Sequence, residues 1–126
     1  FGAALLLDVH SMPPIDGPDA ARIVIGDRFG VSAGSWLTDT AAAVLSGASL
    51  RVAVNTPYSG GHILARHAAP ELGLHALQIE VDRGLYLDAA FDAPGAGMTA
   101  MAGLIARLVF ALSNQLGAGE AALAAE

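Results

Sequence analysis

There is no cysteine among these 126 residues. Disulfides, thiolate metal ligands and a cysteine nucleophile are thereby excluded, and cysteine usage gives no reading of the compartment. Lysine is absent as well, and six arginines stand scattered against twelve acidic residues, for a net charge of −6. Without a basic stripe to neutralise phosphates, nucleic acid is not an expected partner. Charged residues make up only 14% of the chain and hydrophobic residues 54%, so a packed core is expected rather than a disordered coil. Long uninterrupted apolar runs are also scarce. The most apolar stretch, residues 98–112, contains Arg107 and falls short of the ~20 residues that a membrane-spanning helix needs. Residues 1–7 are apolar but lack a basic leader and a small-residue cleavage site, so they do not read as a signal peptide. They also lack an initiator Met, and the chain is expected to begin inside a fold, as a fragment or a processed piece.

The length suits one domain. Residues 3–9 form a continuous apolar run ended by Pro13 and Pro14, which predicts a strand buried on both faces. Residues 13–21 predict a loop and residues 23–25 a short strand. Ser35 is the expected N-cap of a helix that stops at Gly47, with Leu37, Ala41, Val44 and Leu45 at helical spacing. Residues 50–54 predict a strand, 56–61 a glycine-bearing loop, 62–69 a short helical turn and 75–81 a second wholly apolar strand. A long helix is expected over 99–116, with Leu104, Ile105, Leu108, Val109 and Leu112 as its buried stripe. The Ala/Glu-rich tail after Gly117 is expected to fray. Strands alternating with helices predict an α/β sheet covered by helices.

The chemistry concentrates at two strand ends. In Leu5-Leu6-Leu7-Asp8-Val9-His10-Ser11-Met12-Pro13, strand alternation brings Asp8 and His10 out on one side. A histidine where strand gives way to loop suits metal binding or proton transfer. Leu77-Gln78-Ile79-Glu80-Val81-Asp82-Arg83 repeats the design and delivers Glu80. Together they suggest a metal-dependent hydrolase. Gly30-Val31-Ser32-Ala33-Gly34 is a literal nucleophile-elbow pattern, but Asp27-Arg28-Phe29 separate it from the preceding strand, and that motif needs a strand running directly into the turn. Neither the dinucleotide fingerprint nor a phosphate loop occurs. A catalytic zinc takes three protein ligands. His62 and His67 are five apart, and Pro70 separates His67 from Glu71, so neither pair supplies a recognisable second ligand beside His10.

Four blocks in order resemble the N-formylglutamate amidohydrolase family, zinc enzymes related in fold to the carboxypeptidases. They are Leu7-Asp8-Val9-His10-Ser11-Met12-Pro13, Ile25-Gly26-Asp27-Arg28-Phe29-Gly30, Asn55-Thr56-Pro57-Tyr58-Ser59-Gly60-Gly61 and Ala76-Leu77-Gln78-Ile79-Glu80-Val81-Asp82-Arg83-Gly84-Leu85-Tyr86. The resemblance implies a mixed, mostly parallel sheet of the carboxypeptidase/phosphorylase-hydrolase type. Residues 1–126 would be the C-terminal part of one α/β domain, incomplete at the N-terminus. It implies Zn2+ held by His10 as third ligand, with a His and an acidic residue upstream of Phe1 as the first two. Glu80 would be the general base and Asp8 the orienting partner of His10. An anionic N-acyl amino acid needs cations and neutral donors, for which Arg28, Arg66, Arg83, Asn55 and Tyr58 are the candidates. Arg107 is expected on a helix surface. A cytoplasmic enzyme of histidine degradation is implied, with no membrane partner. A carboxypeptidase-like or N-acyl-amino-acid hydrolase, a serine hydrolase using Ser32, and a non-catalytic binding remnant are the alternatives.

Overall fold

A computed structural model describes the backbone of residues 2–124 and the side chains through residue 119. Its order is β1 (Ala4–Met12), β2 (Ile23–Gly26), α1 (Ser35–Ser46), β3 (Val52–Val54), α2 (His62–His67), β4 (Leu74–Asp82) and α3 (Met98–Ala124), with single 3-10 turns at Pro70–Leu72 and Arg83–Leu85. The strands make one sheet in the order β1-β4-β2-β3. β1 runs parallel to β4 and β2 parallel to β3, while β2 and β4 are antiparallel. The architecture is the α/β mixed, mostly parallel sheet that was expected.

Period-2 alternation divides the sheet into two faces. Leu77, Ile79 and Val81 of β4 lie beside Leu5 and Leu7 of β1 and Ile23 and Ile25 of β2, and α1 and α3 cover them through Leu37, Ala41, Leu45, Met101, Leu104, Leu108 and Leu112. A fully buried leucine stabilises a core by about 1.5–3 kcal/mol, so this face holds the fold together. Val24, Ala76 and Leu64 are equally buried but stand apart from that cluster. They mark the second face, onto which α2 packs against β4 and β1.

Several expected boundaries shift. β1 is not buried on both faces: it is the sheet edge, with Leu6 and Val9 exposed. An apolar run alone does not distinguish an edge strand from a central one. β1 also continues through His10 to Met12, because its pairing with β4 extends to Asp82. Gly34, not Ser35, is the N-cap of α1, without a side-chain cap bond. α3 runs on through Gly117 and Gly119 to Ala124. Its segment Met98–Gly119 is long and apolar enough to cross a membrane by length and composition, contrary to the sequence reading. Met101, Leu104, Leu108 and Leu112 pack one side of it onto the sheet, while only 17% of its most apolar window is buried.

His75 opens β4 on the core face. Its Nδ1 accepts the Gly34 N–H at 3.1 Å, and Trp36 stands edge-on with ring centroids 5.4 Å apart. Burial lowers its pKa below the ordinary 6.5, so the fold prefers the neutral ring and the unfolded chain binds the proton more readily. Stability from this site is complete above that ordinary value and is lost as pH falls below it. Melting followed from pH 8 to pH 5 is expected to show this loss, and His75→Phe to flatten it. An unchanged profile in the variant would remove the assignment.

Candidate active site

The register of the two long strands builds the polar face. His10 pairs with Glu80, Asp8 with Gln78 and Met12 with Asp82, across a strand spacing of about 4.8 Å. β2 adds Val24 beside Glu80 and Gly26 beside Gln78. Alternation therefore gathers Asp8, His10, Gln78, Glu80 and Asp82 on the face opposite the main core.

His10 Nε2 lies 2.9 Å from Asp8 Oδ2, with the imidazole half-exposed. A carboxylate on one ring nitrogen fixes the ring and leaves Nδ1 turned to other partners. Glu80 is only 8% exposed. Its Oε1 accepts from Gln78 Nε2 at 2.9 Å. Burial pushes its carboxyl above the ordinary 4.5; the nearby His10 pulls it down and Asp8 raises it further. A carboxylate made more basic in this way is suited to accept a proton near neutral pH.

Two networks frame this face. At the far end of β4, buried Asp82 takes the Arg22 Nε–H at 2.5 Å and caps the following turn through Gly84 N–H at 2.7 Å. Beyond the last residue of β2, Asp27 accepts from Asn55 Nδ2, Gly30 N–H and Thr38 Oγ1, each at 2.8 Å. Burial raises the Asp27 carboxyl, but the hydrogen bonds from Asn55, Gly30 and Thr38 and from its own backbone N–H outweigh it, with a net lowering. The clamp holds Arg28, Phe29 and Gly30 at positive φ. Gly26 admits the crossing loop, since a Cβ there would stand 2.6 Å from the Ser59 carbonyl carbon.

The arginines expected to hold substrate are dispersed. Arg28 follows Asp27 with its stem beside Gly60, and Arg66 is exposed on α2. Neither of these, nor Tyr58, makes a side-chain hydrogen bond or ion pair among the described residues. Arg83 lies 6.0 Å from the Phe91 ring, with its Nε buried and unpaired. Asn55 uses both polar atoms on Asp27, accepting the Asp27 N–H at 3.0 Å, so it fixes the loop. Arg107 lies on the surface of α3, as expected. Ser32 is ruled out as a nucleophile: it is buried and donates to the Ala76 carbonyl at 2.8 Å. His62 and His67 are exposed on α2, and among the described residues no group of three His, Asp or Glu could hold a metal.

Gln78, Asp27 and the Arg22–Asp82 pair went unassigned in the sequence. Gln78 was accessible through its two-residue spacing from Glu80, and Asp27 through Gly30 three residues on, the pattern of a side chain closing its own turn. Arg22 and Asp82 are 60 residues apart, and only the strand register joins them.

The family model for N-formylglutamate amidohydrolase matches residues 1–87, the segment that contains the whole sheet and its polar face. The chain belongs to the N-formylglutamate amidohydrolase family. A solved N-formylglutamate amidohydrolase from Ralstonia eutropha JMP134 is 30% identical with a TM-score of 0.76, over 93% of this chain and 44% of that one. A gene product of Agrobacterium tumefaciens is 28% identical with a TM-score of 0.61, over 89% of this chain and 43% of its own. The chain thus spans less than half the length of these structures. No curated protein matches it. The family match stops short of α3, so α3 lies outside what the family model describes and serves here as core.

Proposed function

We propose that this chain carries the proton-transfer carboxylate and one metal ligand of a zinc-dependent hydrolase acting on the formyl amide of an N-formyl amino acid such as N-formyl-L-glutamate. Formate and the amino acid are the products. The observation that supports it is the Asp8–His10 pair set beside buried Glu80 by the β1–β4 register. An imidazole backed by a carboxylate fits one corner of a zinc site. The described residues do not complete that site, and the remaining ligands are assigned to residues beyond them.

When bound, zinc lowers the pKa of its water from 15.7 to about 7. Glu80 takes the proton of the attacking water and returns it to the leaving nitrogen. Gln78 holds one Glu80 oxygen, leaving the other for this exchange. Asp8 keeps the His10 ring from rotating. A carboxypeptidase-like or other N-acyl-amino-acid hydrolase would use the same face, and product analysis for formate separates it.

Exhaustive chelation of the intact enzyme is expected to abolish formate release, and zinc to restore it. A serine-directed phosphonate is expected to leave the rate unchanged. Full activity after chelation would overturn the metal assignment.

A further inference from the structure

Two arginines that this reading leaves unused meet at one cleft. Arg22 and Arg51 line a cavity of about 360 Å³ together with Pro14, Gly17, Asp82 and Gly84. Its position follows from the register. Ile23 pairs with Val81, and the Asp82 N–H donates to the Arg22 carbonyl at 2.9 Å, so Arg22 stands across from Asp82. Asp82 is two residues beyond Glu80 on the same strand face, roughly 7 Å along it.

The cleft is built around a fixed guanidinium. Asp82 is 2% exposed and has both oxygens engaged, one by Arg22 Nε and the other by Gly84 N–H. Arg22 is therefore held through Nε alone. Its terminal nitrogens make no bond among the described residues, and Nη2 lies beside Gly84 on the cleft wall. Arg51, just before β3, is tied only to Asp19 at 3.1 Å, and both side chains are largely exposed. Such a surface pair contributes roughly 0–1 kcal/mol, so a ligand carboxylate can displace Asp19. A planar guanidinium edge matches a carboxylate with two parallel bonds.

We propose that Arg22 and Arg51 form the subsite for the side-chain carboxylate of an acidic N-acyl amino acid whose amide lies at Glu80. The inference rests on the hydrolytic reading of that face. Asp82 and Gly84 on the cleft wall set this cleft beside the strand face that carries Glu80. Asp82 is a positioning residue here, because it acts through Arg22.

Glutarate, a dianion with no scissile amide, is the probe, and neutral glutaramide is its control. In amide NMR spectra of the 126-residue chain, glutarate is expected to shift Gly17 and Gly84 saturably, and glutaramide is not. Arg51→Gln should weaken glutarate about tenfold, the loss of one charge-assisted contact worth ~1.4 kcal/mol. Arg22→Lys keeps a cation against Asp82 but loses the fork, and should weaken it similarly. Arg107→Gln on α3 should leave it unchanged. Equal shifts with glutaramide, or glutarate binding untouched by both substitutions, would overturn the subsite. The probe needs neither zinc nor turnover. Failed glutarate binding beside intact formate release would remove this inference alone, whereas glutarate binding without formate release would leave Arg22 and Arg51 as a dicarboxylate site and remove its link to hydrolysis.

Discussion

Glu80→Gln in the intact enzyme is expected to cut turnover by about 10²–10⁴-fold, the usual contribution of a positioned general base, while bound zinc stays unchanged. The amide matches the carboxylate in shape and can still meet Gln78, but it cannot take a proton. His10→Ala is expected to lose metal and turnover together, because it removes a metal bond. Metal content measured beside formate release separates the two roles. The pH profile adds a second check. A base whose pKa is raised by burial loses activity as pH falls through that raised value, and the residual rate of Glu80→Gln should lack this acid limb. If Glu80→Gln released the metal, Glu80 would be a ligand and the assignment would fail.

Asp27→Ala should destabilise the fold by about 1–3 kcal/mol. The substitution strips the acceptor from Thr38, Asn55 and Gly30 at once. Thr38 is the buried donor of the three and carries most of the cost, about 1–3 kcal/mol when left unsatisfied, while Gly30 and Asn55 are partly open to water. The turn at Arg28 and Phe29 would then hold its positive φ without the carboxylate that closes it. Because the folded Asp27 pKa is lowered, its contribution is complete above the ordinary 3.8 and is lost as pH falls through the lower folded value. Urea unfolding of the variant at pH 7 measures the loss. A change under 1 kcal/mol would show that the clamp is dispensable.

The two predictions differ in how far the sequence disclosed them. That Glu80 and His10 stand at strand ends was legible because apolar runs ended by turn residues mark strands, and the register then sets them side by side. The helices at 35–46 and from 98 onward were legible through their spacing of Leu, Ala and Val. Most of what stayed hidden depended on pairing. Nothing in Leu5-Leu6-Leu7 says that β1 would occupy an edge, because that is decided by which strands lie on either side. Arg28 and Arg83 drew attention by lying inside family-like blocks, whereas Arg22 did not. Its place opposite Asp82 exists only once β2 reverses direction against β4. Asn55 was read as a substrate donor from its position at a strand end, and the structure gives both its polar atoms to Asp27.

The alternation in β4 has a consequence for how this protein can change over generations. Leu77, Ile79 and Val81 anchor the core while Gln78, Glu80 and Asp82 carry the polar face. A strand slipped by one residue exchanges its faces completely. Deleting a single codon within 74–82 would therefore drive carboxylates into the core and aim isoleucine and valine at the site in one event. Single-residue substitutions can sample one face at a time, whereas insertions and deletions cannot. Length variation is thus steered into the turns, such as residues 13–22 and 87–97, where no such alternation is kept. The hydrophobic face acts as a reading frame for the chemical one, and a lineage that loses the frame loses the fold before it can test a new activity.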